Sequence, residues 1–196
     1  ENEKPARKFL KLFGYENIQR AIIKTLNQQT TSSEIPEMMT PLLEGKNIGL
    51  MSDAGCPGIA DPGSEMIKLV HKKNIKVVPL TGPSSIVHSI MVSGFNGQNF
   101  AFNGYLPIEK NERIKKIKFL EQLSNKNKQA QFFIETPYRS AQMFDVLIST
   151  LHPDTELFIG MEITSAQQML ASKTASEWKR GEKINLEKKL CVFGIY

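Results

Sequence analysis

The sequence holds few of the residues that build covalent or metal-bound frameworks. Its 196 residues include two cysteines, three histidines and one tryptophan. Cys56 and Cys191 lie far apart, and their positions match neither a disulfide framework nor a metal motif. Because no histidine has a ligand partner at metal-binding spacing, we expect no metal site. A reducing, cytoplasmic location is the expectation that follows.

Long apolar runs are missing as well. No stretch approaches the roughly 18 apolar residues of a membrane-spanning helix, and no segment has the pattern of a signal peptide. The composition, 40% hydrophobic and 23% charged, is ordinary for a globular protein. The length allows one or two α/β domains. The chain starts without methionine in a helix-like stretch, so we expect a further segment to precede it.

The charge balance is moderately basic. Lysine and arginine number 25 against 20 acidic residues, which gives a net charge of +5. Such a surface favours an anionic partner without requiring one. Lysine clusters near residues 110–118, 126–128 and 183–189 are also typical of solvated faces, so charge alone leaves contact with nucleic acid open.

Short apolar runs alternate with amphipathic stretches along the chain, which is the pattern of α/β domains. The predicted strands are residues 21–26, 48–51, 77–80, 100–105, 131–135, 157–162 and 190–196. The predicted helices are residues 3–13, 33–45, 65–73, 84–94, 111–123 and 139–151. A polar connector at residues 94–99 suggests two domains, residues 1–97 and 98–196.

Two loops qualify as ligand-binding loops. Residues 52–63 and 81–85 each follow a predicted strand and precede a predicted helix, and ligands of open α/β sheets bind at the carboxyl ends of strands. The first loop has three glycines and two prolines, and it is longer than the roughly 2 to 6 residues of a plain connection. Asp61, which precedes Pro62 at a helix start, is predicted to cap the helix.

Four sequence blocks, in order, resemble the tetrapyrrole methylase superfamily. They are Ser-Asp-Ala-Gly-Cys-Pro-Gly-Ile-Ala-Asp-Pro-Gly at residues 52–63, Val-Pro-Leu-Thr-Gly-Pro-Ser-Ser at 78–85, Phe-Asn-Gly-Tyr-Leu-Pro at 102–107 and Phe-Phe-Ile-Glu-Thr-Pro-Tyr-Arg at 132–139. Ser-Gly-Phe at residues 93–95 adds to the likeness. Within the superfamily the sequence is most similar to the branch of 16S ribosomal RNA ribose 2′-O-methyltransferases.

The resemblance implies two α/β domains, with a mostly parallel N-terminal sheet, a mixed C-terminal sheet and S-adenosyl-L-methionine in the cleft between the domains. It also implies a homodimer. By motif match, residues of both domains would contact the cofactor. They are Asp53, Ala54, Gly55, Cys56, Pro57, Ser84, Ser85, Ile86, Leu106, Glu135 and Thr136. Ser84 is equally well explained as a helix cap, and Glu135 as a surface carboxylate at a strand end.

The sequence also departs from the pattern of that branch. The opening strand of the family and its glycine turn have no counterpart, and Asn2, Tyr138 and Met161 replace an acid, a histidine and an arginine. Loss of an arginine at a possible phosphate contact weakens the RNA interpretation. The additional C-terminal helical region of the branch also has no counterpart.

Methyl transfer needs alignment and exclusion of water more than it needs catalytic groups. A ribose hydroxyl would need a base or polarising partner, for which Glu1 with Lys4 is the first choice and Glu3, Asp53 and Glu135 are others. Three functions therefore remain open: methylation of ribosomal RNA, methylation of a tetrapyrrole or other small molecule, and a cofactor- or RNA-binding module without turnover.

Overall fold

The computed structural model describes all residues, Glu1–Tyr196, and the chain forms two compact units. The first is Glu1–Pro83 and the second is Ser84–Tyr196. The division falls before the boundary predicted between residues 97 and 98, since the helix at residues 85–93 packs on the sheet of the second unit. The predicted domains, residues 1–97 and 98–196, therefore stay a prediction.

The first unit is helical. It contains α1 (Glu3–Leu12), a 3₁₀ helix (Ile18–Arg20), α2 (Glu34–Met38), α3 (Thr40–Leu43) and α4 (Gly63–Lys72). The single helix predicted at residues 33–45 is split into α2 and α3. Pro41 has no N–H to give to the carbonyl of Glu37, which instead accepts the Thr40 hydroxyl at 2.9 Å.

The sheet predicted for the N-terminal part is wrong for this structure. Residues 21–26, 48–51 and 77–80 run without helix or strand, and all five strands of the protein belong to the second unit. A strand exists only where a neighbour pairs with it, and a short apolar run cannot specify that neighbour. Apolar residues of these segments nevertheless pack with α2 and α4 in one core, formed by Leu26, Ile35, Met39, Met66 and Val70 with Leu50 and Val77 against it.

The second unit is a mixed sheet with helices on both faces. Its elements are α5 (Ser85–Ser93), β1 (Phe100–Tyr105), α6 (Lys110–Asn127), β2 (Ala130–Glu135), α7 (Ser140–Thr150), β3 (Glu156–Met161), β4 (Met169–Thr174), α8 (Ala175–Arg180) and β5 (Cys191–Ile195). The strand order is β1-β2-β5-β3-β4. β1 pairs with β2 in parallel and the other pairs are antiparallel, which confirms the predicted mixed sheet. β4 and α8 are additional to the predicted elements.

Alternate residues of the central strands enter separate cores on the two faces of the sheet. Phe133 of β2 joins side chains of α6, α7 and α8, while its neighbour Phe132 packs with Phe95 on the face that α5 covers. In the first of these cores the indole N–H of Trp178 donates to the Leu157 carbonyl at 2.8 Å. Burial on both faces explains why the strands are apolar at nearly every position.

The longest helix, α6, has 18 residues and is rich in lysine. No helix of the protein combines the length and the apolar character that a membrane crossing requires.

Candidate functional site

The glycine-rich loop of the first unit is held in shape by Asp61. Its Oδ1 atom accepts the backbone N–H groups of Gly58 at 2.6 Å and Gly63 at 2.8 Å. Gly63 is the first residue of α4, so Asp61 pairs with one of the free N–H groups at the start of this helix, as predicted. The N-cap position itself is occupied by Pro62. The carboxylate of Asp61 therefore supports the loop.

Glycine is required at two positions of this loop. A Cβ on Gly63 would lie 2.8 Å from Asp61 Oδ1 and 3.1 Å from the backbone nitrogen of Gly58. Gly58 itself has φ +81°, in the left-handed region that favours glycine. The loop is therefore a tight, preformed turn, as a rigid ligand-binding loop requires.

The outer part of the loop faces solvent. Asp53, Ala54, Gly55 and Pro57 are exposed, and Cys56 is half-buried. The backbone N–H of Asp53 donates to Glu1 Oε2 at 3.3 Å, while no group of the protein pairs with the Asp53 carboxylate. The structure thus brings the predicted catalytic residue Glu1 to the predicted cofactor-binding loop.

The two predicted ligand-binding loops meet within the first unit. The thiol of Cys56 lies 3.9 Å from the carbonyl oxygen of Pro83, at the limit of a hydrogen bond to sulfur. Pro83 ends the segment of residues 81–83, which belongs to this unit. One contact thus joins residues 52–63 to residues 81–83, and the convergence of both loops on one ligand stays a prediction.

Lys4 lies in the first turn of α1, and its ammonium group has no partner. The preceding Asn2 is the N-cap of this helix, and its side-chain oxygen accepts the backbone N–H of Lys4 at 3.3 Å. Asparagine and aspartate are equally good N-cap residues, so Asn2 caps this helix as the acid of the branch would.

Three of the candidate cofactor contacts surround the start of α5 in the second unit. The buried Ser84 is the N-cap, and its hydroxyl accepts the backbone N–H of Val87 at 3.4 Å. Ser85 is exposed and Ile86 is half-buried in the first turn. The structural role considered for Ser84 is thus present, and its contact with a ligand stays a prediction.

Leu106 follows β1 and its side chain lies in the core, with 2% of the residue exposed. Because almost none of the residue is exposed, its contact with a ligand stays a prediction.

Glu135 ends β2 and is fully buried. Its Oε1 atom accepts three bonds, from the N–H of Thr136 at 2.7 Å and from Arg139 Nε at 3.0 Å and Nη2 at 2.6 Å. Its Oε2 atom is buried without a partner. The alternative of a surface carboxylate is therefore wrong. Arg139, which sequence reasoning did not assign, fixes this carboxylate, and the four-residue spacing of the pair is the signal that could have revealed it.

Further residues lie at the same end of the sheet as Glu135, beyond the carboxyl ends of the strands. β5 is antiparallel to both β2 and β3, so β2 and β3 run the same way and end together. Glu162, just beyond β3, accepts the N–H of Leu190 at 2.8 Å through Oε1. Glu162 and Thr164 have φ of +48° and +72°, an uncommon conformation that for threonine implies strain.

Cys191 begins β5 opposite Glu135. Burial raises the pKa of its thiol to about 11, with the Glu162 charge adding to the effect and a hydrogen bond with Ser140 opposing it. Cys191 is therefore a protonated, structural residue at neutral pH. No group of three histidine, cysteine or acidic side chains is arranged to hold a metal ion.

Solved structures with the same fold are methyltransferases and a synthase. The chain superposes on the methyltransferase CobJ with a TM-score of 0.56 and 12% identity, covering 90% of this chain and 78% of that one. It superposes on diphthine synthase with a TM-score of 0.57 and 16% identity, covering 85% and 67%. No family model matches the chain. The fold is that of the tetrapyrrole methylases.

Curated relatives identify the branch of the tetrapyrrole methylases. The ribosomal RNA small subunit methyltransferase I of Thermotoga maritima is 35% identical over 159 residues, which are 78% of this chain and 66% of that protein. The protein of the same name from Bacillus subtilis is 32% identical over 171 residues, covering 86% of this chain and 56% of that protein. The chain belongs to the tetrapyrrole methylase superfamily, in the branch of the ribosomal RNA small subunit methyltransferase I proteins.

The chain spans less than two thirds of the length of these relatives, from 56% to 66%.

Proposed function

We propose that the protein transfers a methyl group from S-adenosyl-L-methionine to ribosomal RNA, with a ribose 2′-hydroxyl as acceptor. The observation that carries the proposal is the preformed loop of residues 52–63, where the backbone N–H of Asp53 contacts Glu1 and the Asp53 carboxylate is unpaired. The names of the relatives, with 35% identity to the Thermotoga protein, support the reaction and the substrate.

The residues of the loop fit the polar groups of this cofactor. S-adenosyl-L-methionine carries an ammonium group, a carboxylate and ribose hydroxyls, which need acceptors and donors at short range. The exposed Asp53 carboxylate accepts from an ammonium or a hydroxyl, and the exposed backbone at Ala54 and Gly55 approaches a ligand without obstruction. Cys56 and Pro57 complete the proposed cofactor-binding segment.

When bound, the cofactor supplies a methyl group on a positively charged sulfur. We assign Glu1 to the acceptor hydroxyl, because its carboxylate uses one oxygen for Asp53 N–H and keeps the other free. In that place the free carboxylate oxygen of Glu1 would accept the proton of the acceptor hydroxyl. The unpaired ammonium of Lys4 stabilises negative charge on the acceptor.

The second unit contributes further candidate contacts. We propose that six of its residues bind the cofactor: Ser84, Ser85, Ile86, Leu106, Glu135 and Thr136. The unpartnered Oε2 of Glu135 supports a role for that residue, because a buried carboxylate oxygen without a donor is costly.

Calorimetric titration with S-adenosyl-L-methionine tests the loop. We expect Asp53→Ala to weaken binding about tenfold or more, since a hydrogen bond to a charged group contributes about 1.5 to 3 kcal/mol. Asp145→Ala, which removes an exposed aspartate from α7, is the matched control and keeps the affinity of the parent protein. Equal affinities of all three proteins would contradict the assignment of Asp53.

Transfer of labelled methyl groups tests the substrate. We expect label in 16S ribosomal RNA from a strain deleted for the corresponding gene, and none in porphyrinoids. Label only in porphyrinoids would favour the small-molecule alternative, which the missing arginine at Met161 supports. Cofactor binding without transfer to either would favour the non-catalytic module.

We further propose a cytoplasmic homodimer. The proposed substrate, ribosomal RNA, supports the cytoplasmic location, because ribosomes lie there. Exposed apolar side chains on α5 support the dimer, since Val87 is 53% and Met91 72% exposed. Sedimentation analysis tests the assembly, and a monomer at micromolar concentration would contradict it.

A further inference from the structure

A shallow, open groove with three cationic residues in its lining lies on the first unit, between α1 and the 3₁₀ helix. Its volume is about 560 Å³, and its lining residues are Arg7, Lys8, Lys11, Ile18 and Gln19. Three of these five are cations and none is an acid. A groove of this composition favours an anionic ligand.

Arg7 fixes the walls of the groove. Its Nη1 atom donates to the carbonyl of Ile18 at 2.7 Å, which joins the two helices. Its Nε atom donates to Glu3 Oε1 at 2.7 Å, so part of the guanidinium charge is already paired. Arg7 therefore shapes the groove more than it supplies free charge.

Lys8 and Lys11 supply the free charge. Both are exposed, and their three-residue spacing places them next to each other on α1. Neither pairs with a carboxylate, whereas Lys46 pairs with Glu44 at 2.6 Å and Lys115 with Glu112 at 2.8 Å. Unpaired ammonium groups gain most from phosphate, because their charge is not already neutralised.

We infer that this groove binds successive phosphates of an RNA strand, through Lys8 and Lys11. The inference rests on the proposed function for the class of ligand, and the groove itself lies outside the cofactor loop. At 1.5 Å per residue, Lys11 lies about 12 Å along α1 from Glu3, which is the length of a few nucleotides. A strand that leaves the groove along α1 toward the N-terminus of this helix would need only this length to reach Glu1, where the acceptor ribose is proposed to lie.

The test uses the full chain and a fluorescein-labelled single-stranded RNA of about 20 nucleotides and mixed sequence, which is long enough to occupy several phosphate contacts. Fluorescence anisotropy gives Kd over a range of potassium chloride concentrations. The variant is Lys8→Ala with Lys11→Ala. The matched control is Lys68→Ala with Lys72→Ala, which removes two exposed, unpaired lysines from one face of α4.

We expect the slope of log Kd against log salt to fall by about 1.4 in the groove variant, about 0.7 for each lost phosphate contact with a single strand. At low salt its Kd rises about tenfold or more, and the control keeps the parent slope. Equal slopes for groove variant and parent, or equal losses in the two variants, would overturn the inference. Competition by polyglutamate as strong as by unlabelled RNA would overturn it too, since the groove would then bind anions of any kind.

Cofactor titration separates this inference from the proposed function. The groove variant is expected to bind S-adenosyl-L-methionine like the parent protein. If neither the parent protein nor either variant binds S-adenosyl-L-methionine, the proposed function is contradicted. A salt slope that is still reduced in the groove variant would then support RNA binding by the groove independently.

Discussion

The two cysteines differ in the surroundings of their sulfur atoms. Cys56 is half-buried in the exposed glycine-rich loop, while Cys191 is buried at the start of β5 with a pKa raised to about 11. Because the thiolate is the reactive form, burial and this pKa both protect Cys191. The sequence predicts that neither residue belongs to a disulfide framework, but the sequence alone cannot reveal which thiol is reactive.

We therefore expect iodoacetamide at pH 8 to modify Cys56 and to spare Cys191 until the protein unfolds. At that pH about one in a thousand Cys191 thiols of the folded protein is ionised, and the fraction rises as the pH approaches 11. Mass spectrometry after digestion locates the label. A Cys56→Ser variant is the control, and rapid labelling of its Cys191 at pH 8 would contradict the expectation. If the proposed function is correct, S-adenosyl-L-methionine slows modification of Cys56 in the parent protein.

In the second unit, secondary structure elements were predictable where apolar side chains repeat and were missed where they do not. β2 and β5 are buried at nearly every position, and both are close to their predicted limits. β4 lies at the sheet edge with its residues half-buried or exposed, so it carries no apolar pattern. In the site, loop composition indicated the glycine-rich turn. The burial of Glu135 could not be predicted, because its four-residue spacing to Arg139 indicates an ion pair but not how deeply that pair lies in the fold.

Close packing of β5 against the rings of Phe132 and Phe95 gives a prediction for Gly194. A Cβ there would lie 2.8 Å from Phe132 Cε1 and 3.2 Å from Phe95 Cε2. Both rings are buried and cannot move away freely, so Gly194→Ala is expected to lower the free energy of unfolding by about 1 to 3 kcal/mol. Urea denaturation measures the change. Gly97→Ala is the matched control, because its Cβ meets only Ile90 Cγ2 at 3.9 Å, and a similar loss in both variants would contradict the explanation.

At the scale of the whole molecule, the two units are stabilised to different degrees. The core of the second unit contains many residues with 0% exposure, joined by a five-stranded hydrogen-bonded sheet. The core residues of the first unit keep 3% to 6% exposure, and short helices with irregular segments surround them. Local opening is easier where buried apolar contacts are few.

We expect hydrogen exchange, followed by mass spectrometry, to reflect this difference. Backbone amides of β2, β3 and β5 should exchange more slowly than those of α1 to α4, because the strand bonds are covered on both faces. S-adenosyl-L-methionine should slow exchange at residues 52–63 if the loop binds it. Equal protection of the two units without ligand would contradict the difference in stability.

The single tryptophan makes the second unit optically distinct. Trp178 is buried in α8, bonded to Leu157, with the Phe144 ring 5.7 Å away and the Lys173 ammonium 4.9 Å from its own ring. Its emission wavelength and intensity therefore respond to the opening of that core. Rearrangement confined to Glu1–Pro83, which contains Tyr15 but no tryptophan, leaves this chromophore unchanged, so emission excited selectively from tryptophan follows the melting of the second unit alone.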